Sequence, residues 1–522
     1  MFRFKRHGKG KPSQHKQLKK LEDEHQQAKE NLSKQLRVNE EKLQEVFKNC
    51  SDVVFRYVKG QDGALFLVVY MDGMISSQLL DEHILKGLMR NPHPSEVEDS
   101  KVWSDQLNIS VGQSKTLSTF EQIPKEIVRA NAIVLTEGHD SALALDIKGW
   151  DKRALEEPSG ESVIRGPREG FSETFRVNTT LIRRRLKTPR LKIEMMNLGE
   201  LSQTDIGIVY VDGLINPSVL TEVKKRVERI KIDGILESGY VEAFIEDAPF
   251  SPFPTVQHTE RPDTVVSALL EGKAAVIVDG TPFVLVVPFT FFGGLQASED
   301  AYERFMYGTA IRWVRYLLFT IALFLPSVYV AIISYHPEMV PFNLLLSFAA
   351  AREPSPFPTI IETLMMEIIF ESLREAGIRL PKLVGPAVSI VGALVLGEAA
   401  VQAGLVTAPV VIVVAGTGIA SFAVPGYSLG LAYRLLRFPM LILGGVFGLF
   451  GVMVGALALL LHLVSLRSFG VPYLAPMAPL VGTGMKDVLW RAPVWMQRVR
   501  PKLIVGRTSY HMPKGQKPGP KK

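Results

Sequence analysis

The sequence predicts an α/β soluble N-terminal region of two related subdomains, followed by an all-α polytopic transmembrane domain. Strand-like and helix-like patterns alternate through the first 300 residues, and one strand-turn block occurs twice in them. From Tyr316 to Val464 apolar runs dominate, several near the length that spans a hydrocarbon core of roughly 30 Å. The predicted segments are 1–49, a basic tail and amphipathic helix; 50–150 and 201–300, the α/β subdomains; 151–200, a charged connector; 310–485, the transmembrane helices; and 486–522, a basic cytoplasmic tail.

Composition limits the function classes. Cys50 is the single cysteine, so an intrachain disulfide framework and a Cys-rich metal site are excluded, and no cofactor or metal is predicted. The net charge of +7 is concentrated at the two ends of the chain. Beside membrane spans such basic ends favour the cytoplasmic face and anionic headgroups over nucleic acid, for which no motif is present. The basic N-terminus lacks the apolar core of a secretory signal, so the soluble region is predicted to be cytoplasmic.

The first element is an amphipathic helix over residues 16–48. Its apolar residues recur at three- and four-residue steps in a highly charged background. Packing on its own domain and a short coiled coil are both compatible with this pattern, although the heptad slips near Leu36.

A weak internal repeat organises residues 50–290. The block Val-Tyr-Met-Asp-Gly-Met-Ile at 69–75 is echoed by Val-Tyr-Val-Asp-Gly-Leu-Ile at 209–215. Each copy ends a strand, turns at Asp-Gly and enters a helix after Ser76 or Asn216. Asp72 and Asp212 invite a catalytic interpretation, but an Asp in a tight turn usually bonds to the backbone, and that interpretation is favoured.

Each copy continues into a predicted hairpin. Residues 132–136 pair with 142–147 in the first copy, and residues 274–278 with 283–287 in the second. The second hairpin carries an Asp279-Gly280 turn, which is a strong hairpin signal. Two related subdomains follow from these repeated elements.

The connector between the copies is rich in charge. Arg165, Arg168, Glu169 and Arg183 are candidates for a subunit or subdomain interface, because acids and bases occur there in similar number. The alternative is that the clustered arginines bind a phosphate or a carboxylate.

Four apolar runs are long enough to cross a bilayer: 316–333, 383–405, 406–424 and 438–464. The shorter pieces 339–351 and 471–481 are ambiguous, so four and six crossings both remain open. Arg312, Arg315, Arg434 and Arg437 predict the cytoplasmic ends of the first and last long spans. Small-xxx-small spacing in the last run, at Gly444, Gly448, Gly451 and Gly455, predicts close helix packing.

Residues 359–375 form an acidic helix after a Pro-rich entry. Glu367, Glu371 and Glu375 recur every four residues, whereas Glu362 lies outside the apolar stripe. The favoured interpretation is an interfacial helix with Glu362, Glu367 and Glu371 in water, and the alternative is that these acids face a hydrophilic vestibule.

Glu398 lies inside an otherwise uncharged apolar run. A charge at mid-membrane costs at least about 2.5 kcal/mol on insertion scales, so such acids usually face a water-filled path or a polar partner. Helical spacing places Val391, Val395 and Gln402 near the same stripe, and these four residues are the pore and gate candidates. The alternative is that Glu398 braces a neighbouring helix.

A series of motifs in fixed order resembles the A subunit of GerA-family spore germinant receptors. They are residues 165–171, Asn178, Arg183, 356–358, Glu362, 366–367, 370–371, 389–392, 399–401, Pro425 and 468–473. The resemblance covers nearly the whole chain, and the related SpoVAF branch is a close alternative.

The resemblance implies a multi-pass protein of the spore inner membrane that senses nutrients together with a transporter-like B subunit and a lipoprotein C subunit. It further implies a homo-oligomer, a pentamer, around an ion-conducting path, with nutrient binding mainly in the B subunit. The expected function is a nutrient-gated cation path that triggers germination.

Two other classes were weighed against this function. A secondary transporter commonly has inverted repeats within its membrane half, whereas the repeat here lies in the soluble half. A membrane enzyme would need a catalytic constellation, and neither HExxH nor GxSxG occurs in the sequence. The chain is therefore predicted not to be an enzyme.

Overall fold

The computed structural model describes residues 31–60, 63–90, 113–149, 157–158, 160–161, 163–380, 385–506, 510–513 and 515–519. The chain divides into two compact units, one formed by residues 1–154 and 174–196, the other by 155–173 and 197–522. The basic N-terminal tail and the first part of the predicted amphipathic helix, residues 1–30, lie outside the described residues.

The first unit is built on a five-stranded antiparallel sheet in the order β1-β2-β4-β5-β3. Its strands are β1 Val53–Lys59, β2 Leu65–Met71, β3 Ser114–Leu117, β4 Asn131–Thr136 and β5 Ala142–Asp146. The predicted hairpin of residues 132–136 with 142–147 is confirmed by the β4-β5 ladder, in which Val134 pairs with Leu143.

Helices cover both faces of this sheet, and its interior strand β2 is apolar on both sides. The helices are α1 Leu36–Val46, α2 Ser77–Leu79, α3 Lys86–Arg90, α4 Gln122–Ile127 and α5 Phe175–Arg185, with π-helical Leu80–Leu85 between α2 and α3. Leu67 and Val69 of β2 pack into one apolar cluster, and Phe66 and Val68 pack into another. Alternate side chains of a strand point to opposite faces, so β2 contributes to both cores.

The second sheet has the order β6-β7-β9-β10-β8, which repeats the topology of the first strand for strand. Its strands are β6 Leu191–Leu198, which crosses from the first unit into the second, β7 Thr204–Val211, β8 Gln257–Thr259, β9 Ala274–Val278 and β10 Val284–Val287. The accompanying helices are α6 Pro217–Glu228, α7 Ser238–Ile245 and α8 Pro262–Leu270. The α/β character of the N-terminal region is therefore confirmed.

The repeated Asp-Gly block forms the same turn in both sheets. Gly73 and Gly213 have φ values of +78° and +73°, a region that favours glycine. A Cβ on Gly73 would also lie 2.8 Å from Thr180 Oγ1, so the turn packs closely on α5. Ser76 and Asn216 then cap the following helices, since their side chains accept hydrogen bonds from Leu79 N and Ser218 N.

Residues 291–488, called the helical region here, follow the second sheet. Its helices are α9 Phe291–Gly294, α10 Glu299–Tyr302, α11 Phe305–Tyr335, α12 Phe342–Arg352, α13 Thr359–Arg379, α14 Gly385–Gln402, α15 Ala408–Ser421, α16 Tyr427–Ser465 and α17 Gly482–Val488. Short strands β11 Arg467–Ser468 and β12 Val471–Pro472 follow α16, and 3-10 turns occur at Pro337–Met339 and Val494–Met496. Among the described residues, α11 and α16 are long and apolar enough to cross a membrane.

The last predicted span is not one straight helix. Gly448 has φ 62° and ψ −149°, which breaks α16 into two helical segments. A Cβ on Gly455 would lie 2.6 Å from Met440 Sδ, and one on Gly451 would meet Leu443 O. Because residues eight or more apart in a straight helix are roughly 12 Å or more apart, the chain must reverse at Gly448. The sequence pattern missed this break because the apolar composition continues through it.

Candidate functional site

The pore candidates lie on α14, a helix that packs through its glycines. A Cβ on Gly392 would lie 3.1 Å from Leu373 Cδ2 of α13, and one on Gly397 would lie 3.4 Å from Val411 Cγ1 of α15. At about 100° per residue, Val395, Glu398 and Gln402 fall within about 60° of one another, with Gly392 to one side of this stripe and Gly397 to the other. These two small residues allow the neighbouring helices to approach α14 closely.

Among the described residues, the stripe formed by Val395, Glu398 and Gln402 is exposed. Val395 is 55% exposed, and Glu398 and Gln402 are also exposed. Gln402 Nε2 donates a hydrogen bond to Glu398 Oε1 at 3.1 Å, one helical turn away. The structure thus brings Val395, Glu398 and Gln402 onto one face, while the side chain of Val391 lies outside the described part of the chain.

The acids of α13 lie elsewhere than expected. Glu362 is 0% exposed, and its carboxylate accepts hydrogen bonds from Ser355 Oγ at 2.7 Å, Thr407 N at 3.1 Å and Thr407 Oγ1 at 3.0 Å. These bonds connect the start of α13 to the N-cap of α15. A buried carboxylate needs such donors to offset the loss of water, so Glu362 fixes the two helices to each other.

Glu367 of α13 is buried in an ion pair with Arg437 of α16. Arg437 Nη1 lies 2.6 Å from Glu367 Oε2, and both side chains are 2% exposed. Glu367 Oε1 and Arg437 Nε are buried and have no hydrogen-bond partner among the described residues. These positions correct the expectation that Glu362 and Glu367 face water: inside an apolar helical region, each acid is held by the donors that it meets.

Arg374 extends this polar chain along α13. Its Nη2 donates to Ser421 Oγ at 3.0 Å, and its Nη1 lies 3.2 Å from Glu371 Oε2. Its guanidinium lies between the rings of Phe370 and Phe422, 5.1 and 5.4 Å from their centroids. Glu371 is thus the most exposed of the three named acids and still has a cationic neighbour.

The N-terminal part of α11 carries a second cluster of buried charged residues. Arg315 Nη1 and Nη2 donate to the two carboxylate oxygens of Asp300 at 2.9 and 3.2 Å, and Arg312 Nη2 lies 3.6 Å from the same carboxylate. The sequence predicts that these two arginines mark the cytoplasmic end of the first long span. It does not predict that they pair with Asp300. Asp300 lies outside the apolar run, so the pattern of that run does not indicate it as the partner.

Arg183 is buried within the first unit. Its Nε and Nη2 donate to the two carboxylate oxygens of Asp52 at 2.7 and 2.9 Å, and Nη1 donates to Thr188 O at 3.2 Å. Burial alone would lower the pKa of Arg183, but the Asp52 carboxylate raises it. With 1% of its surface exposed, Arg183 connects α5 to the start of β1 inside the first unit, which corrects the expectation of a subunit or subdomain interface.

The remaining connector residues lie in the second unit. Arg165 Nη1 is 3.7 Å from Glu303 Oε2, and Arg168 is exposed. Glu169 is partly buried. An interface role for Arg165, Arg168 and Glu169 stays a prediction.

Comparison with known proteins identifies the family. A family model of the Bacillus/Clostridium GerA spore germination protein matches residues 41–503. The chain belongs to the GerA family. Spore germination protein KA of Bacillus subtilis (strain 168) is 44% identical over 476 residues, covering 90% of this chain and 87% of that protein. The family gives the chain a role in spore germination.

Two further comparisons concern a membrane protein and a solved structure. The uncharacterized membrane protein YfkQ of Bacillus subtilis (strain 168) is 47% identical over 484 residues, covering 93% of each chain. The crystal structure of the N-terminal domain of the A subunit of the Bacillus megaterium spore germinant receptor GerK3 is 30% identical. It covers 51% of this chain and 99% of that chain, with a TM-score of 0.41.

Proposed function

We propose that this GerA-family chain is the A subunit of a nutrient-sensing germinant receptor that conducts cations across the spore inner membrane. In this proposal several copies, a pentamer, surround one path, and a transporter-like B subunit and a lipoprotein C subunit complete the receptor. Nutrient binding opens the path and triggers germination. The observation that carries the proposal is the uncovered stripe of α14 that bears Val395, Glu398 and Gln402.

The arrangement of α11 and α16 supports a membrane location. Tyr335 Oη, at the end of α11, donates to Gly445 O at 2.9 Å and Val446 O at 3.0 Å, next to the break at Gly448. The other ends of α16 lie beside the second sheet, where Leu429 and Leu466 share one apolar cluster with Phe289. Residues 427–447 and 449–465 would then form a membrane hairpin, with segments of roughly 30 and 25 Å at 1.5 Å per residue.

The surface of this hairpin also suits lipid. Large exposed apolar side chains recur along both segments: Leu435, Ile442, Val446, Phe450, Met453, Leu457 and Leu461. A continuous exposed apolar surface of this kind usually contacts a membrane or a partner protein. The hairpin returns the chain to the side of the second sheet, which supports the proposal that the soluble region and the C-terminal tail share the cytoplasmic side.

The Glu398 stripe of α14 is suited to line an ion path because α13 and α15 pack against other parts of the helix surface. Gly392 and Gly397 face α13 and α15, whereas Val395, Glu398 and Gln402 are exposed and can face a symmetry axis. A ring of carboxylates attracts cations, as acidic rings do in cation channels. A cation about 5 Å from one carboxylate in water gains about 0.8 kcal/mol, which is about fourfold in local occupancy.

Substitution of Glu398 tests the proposal. Glu398→Gln keeps the size of the side chain and removes its charge. We expect cation efflux from vesicles containing the receptor complex, measured with and without candidate germinants, to fall about fourfold or more, because each subunit loses one attractive carboxylate. Germination should slow while the amount of protein stays constant.

Glu375→Gln is the matched control, because Glu375 is an exposed acid of α13 that forms an i,i+4 pair with Arg379. It should leave the flux unchanged. Lower abundance of Glu398→Gln would instead indicate that Glu398 braces a neighbouring helix. Normal flux at normal abundance would eliminate the pore role.

A further inference from the structure

A cavity of about 210 Å³ lies in the second unit, away from α14. Its walls come from four stretches of chain: residues 271–273 after α8, residues 290–296 around α9, residues 475–488 after α16, and the C-terminal residues 492–504 with His511. The proposed conduction path uses none of the residues that line it.

The charged residues of the lining are predominantly basic. Its cationic residues are Lys273, Lys486, Arg498, Arg500 and Lys502, and its acidic residues are Glu271 and Asp487. Both acids already have cationic or amide neighbours. Gln497 Nε2 donates to Asp487 Oδ1 at 2.9 Å, Arg312 and Arg491 each lie 3.5 Å from the same oxygen, and Lys273 Nζ lies 3.8 Å from Glu271 Oε2. The net positive charge that remains favours an anion.

Arg498 contributes a guanidinium to the cavity wall. Its Nε is shielded from the open space and has no hydrogen-bond partner among the described residues. A guanidinium bonds carboxylates and phosphates in a planar, paired geometry, so the rest of this group suits an anion. Arg500 differs, since its Nε donates to Leu270 O at 2.7 Å and holds the tail on α8.

Apolar side chains complete the walls, among them Phe292, Pro476, Val488 and Met496. Apolar walls with a few convergent polar groups are typical of sites for small organic molecules. At about 30 Å³ for each water, the cavity holds the volume of roughly seven waters, which fits a molecule of only a few carbons.

We propose that this cavity binds a small organic anion, a carboxylate or phosphate group on a short apolar body, as a regulatory ligand of the receptor subunit. The group pairs with Arg498 and Lys486, and the body lies against Phe292 and Met496. Such a ligand connects the C-terminal tail to the segment that leads into α11, whose base is fixed by the Arg315 and Asp300 pair. Ligand binding therefore stabilises the tail in its folded position, by mass action on the folded state.

Thermal unfolding of the full-length protein in detergent tests the proposal with four probes: acetate, butyrate, inorganic phosphate and glycerol 3-phosphate, at constant ionic strength against chloride. We expect at least one probe to raise the unfolding midpoint with a saturating concentration dependence. Arg498→Gln and Lys486→Gln should each weaken the apparent affinity about tenfold or more, since each removes a charged hydrogen-bond donor. Lys486 is exposed, so its variant tests the site without threatening the fold.

Lys231→Gln is the matched control, an exposed lysine outside the cavity that should bind the probe like the parent protein. A second arm compares nanodiscs of phosphatidylglycerol with nanodiscs of phosphatidylcholine. If only phosphatidylglycerol stabilises the protein, and Lys486→Gln abolishes this effect, the anion is a lipid headgroup. If a dissolved probe stabilises the protein with a saturating concentration dependence, the anion is a soluble molecule. The proposal is overturned by two results: no saturable effect in either arm, or equal affinity of Lys486→Gln and Lys231→Gln.

Discussion

The ion pair between Asp52 and Arg183 gives the sharpest test of the packing in the first unit. The two side chains are 2% and 1% exposed, and two hydrogen bonds of 2.7 and 2.9 Å join them. Asp52→Ala would leave the guanidinium buried and unpaired, which costs about 3–5 kcal/mol. For a domain of 150–250 residues each kcal/mol lowers the unfolding midpoint by about 2–4 °C, so we expect a decrease of roughly 6–20 °C.

Thermal unfolding of the full-length protein in detergent, followed by circular dichroism, measures this decrease. The matched control is Glu41→Ala, which breaks the Arg37 pair whose side chains are 87% and 63% exposed. An exposed i,i+4 pair contributes about 0.3–0.5 kcal/mol, so the control should shift the midpoint by about 2 °C or less. The double variant Asp52→Ala with Arg183→Met should recover part of the loss, because it buries no charge. Equal shifts for Asp52→Ala and Glu41→Ala would refute the argument, and so would strict additivity in the double variant.

Two further predictions concern pH and orientation. The Glu242 carboxylate, 3.7 Å from His258 Nδ1, raises the pKa of His258, although burial opposes the shift. Protonated His258 therefore adds stability that is fully present below the unfolded pKa of about 6.5 and is lost as the pH rises through the folded pKa. The midpoint difference between the parent protein and His258→Gln should shrink from pH 5 to pH 8, and a constant difference would contradict this. In a Cys50→Ser background, membrane-impermeant thiol reagents should label Ser13→Cys and Ser509→Cys only after the membrane is opened, because both basic ends are predicted to be cytoplasmic. Labelling of either position in intact membranes would reverse the orientation.

Local chemistry made much of the soluble fold predictable. The Asp-Gly turns at Gly73 and Gly213 need a positive φ, and the Asp279-Gly280 turn joins β9 to β10, so the residue types alone marked these positions. The edge strands β1, β3, β6 and β8 were not predicted. β3 and β8 have only four and three residues, so the neighbouring strand provides most of what determines their conformation.

The sequence shows where the charged residues of the helical region lie, but it does not show which residues pair with them. Arg437 and Glu367 are 70 positions apart, and Glu362 and Thr407 are 45 apart, so only the folded chain shows that they meet. A usable signal was present, because an acid or a base in an apolar segment is stable only with a partner. Counting Glu362, Glu367, Arg374 and Arg437 as members of one internal network would have favoured buried positions over an interfacial helix.

This network also limits which helix of the region can move. α13 is joined to α15 through Glu362 and Thr407 and to α16 through Glu367 and Arg437, and separating either buried pair would expose unpaired charge to an apolar environment. α14 contacts the same scaffold through Gly392 and Gly397, and the hydrogen bond between its described side chains, from Gln402 to Glu398, lies within the helix itself. Displacing α14 breaks apolar contacts such as those at Gly392 and Gly397, but among the described residues it separates no buried ion pair. In the proposed receptor, the helix that carries the Glu398 stripe can therefore change position while the buried pairs of α13 stay intact.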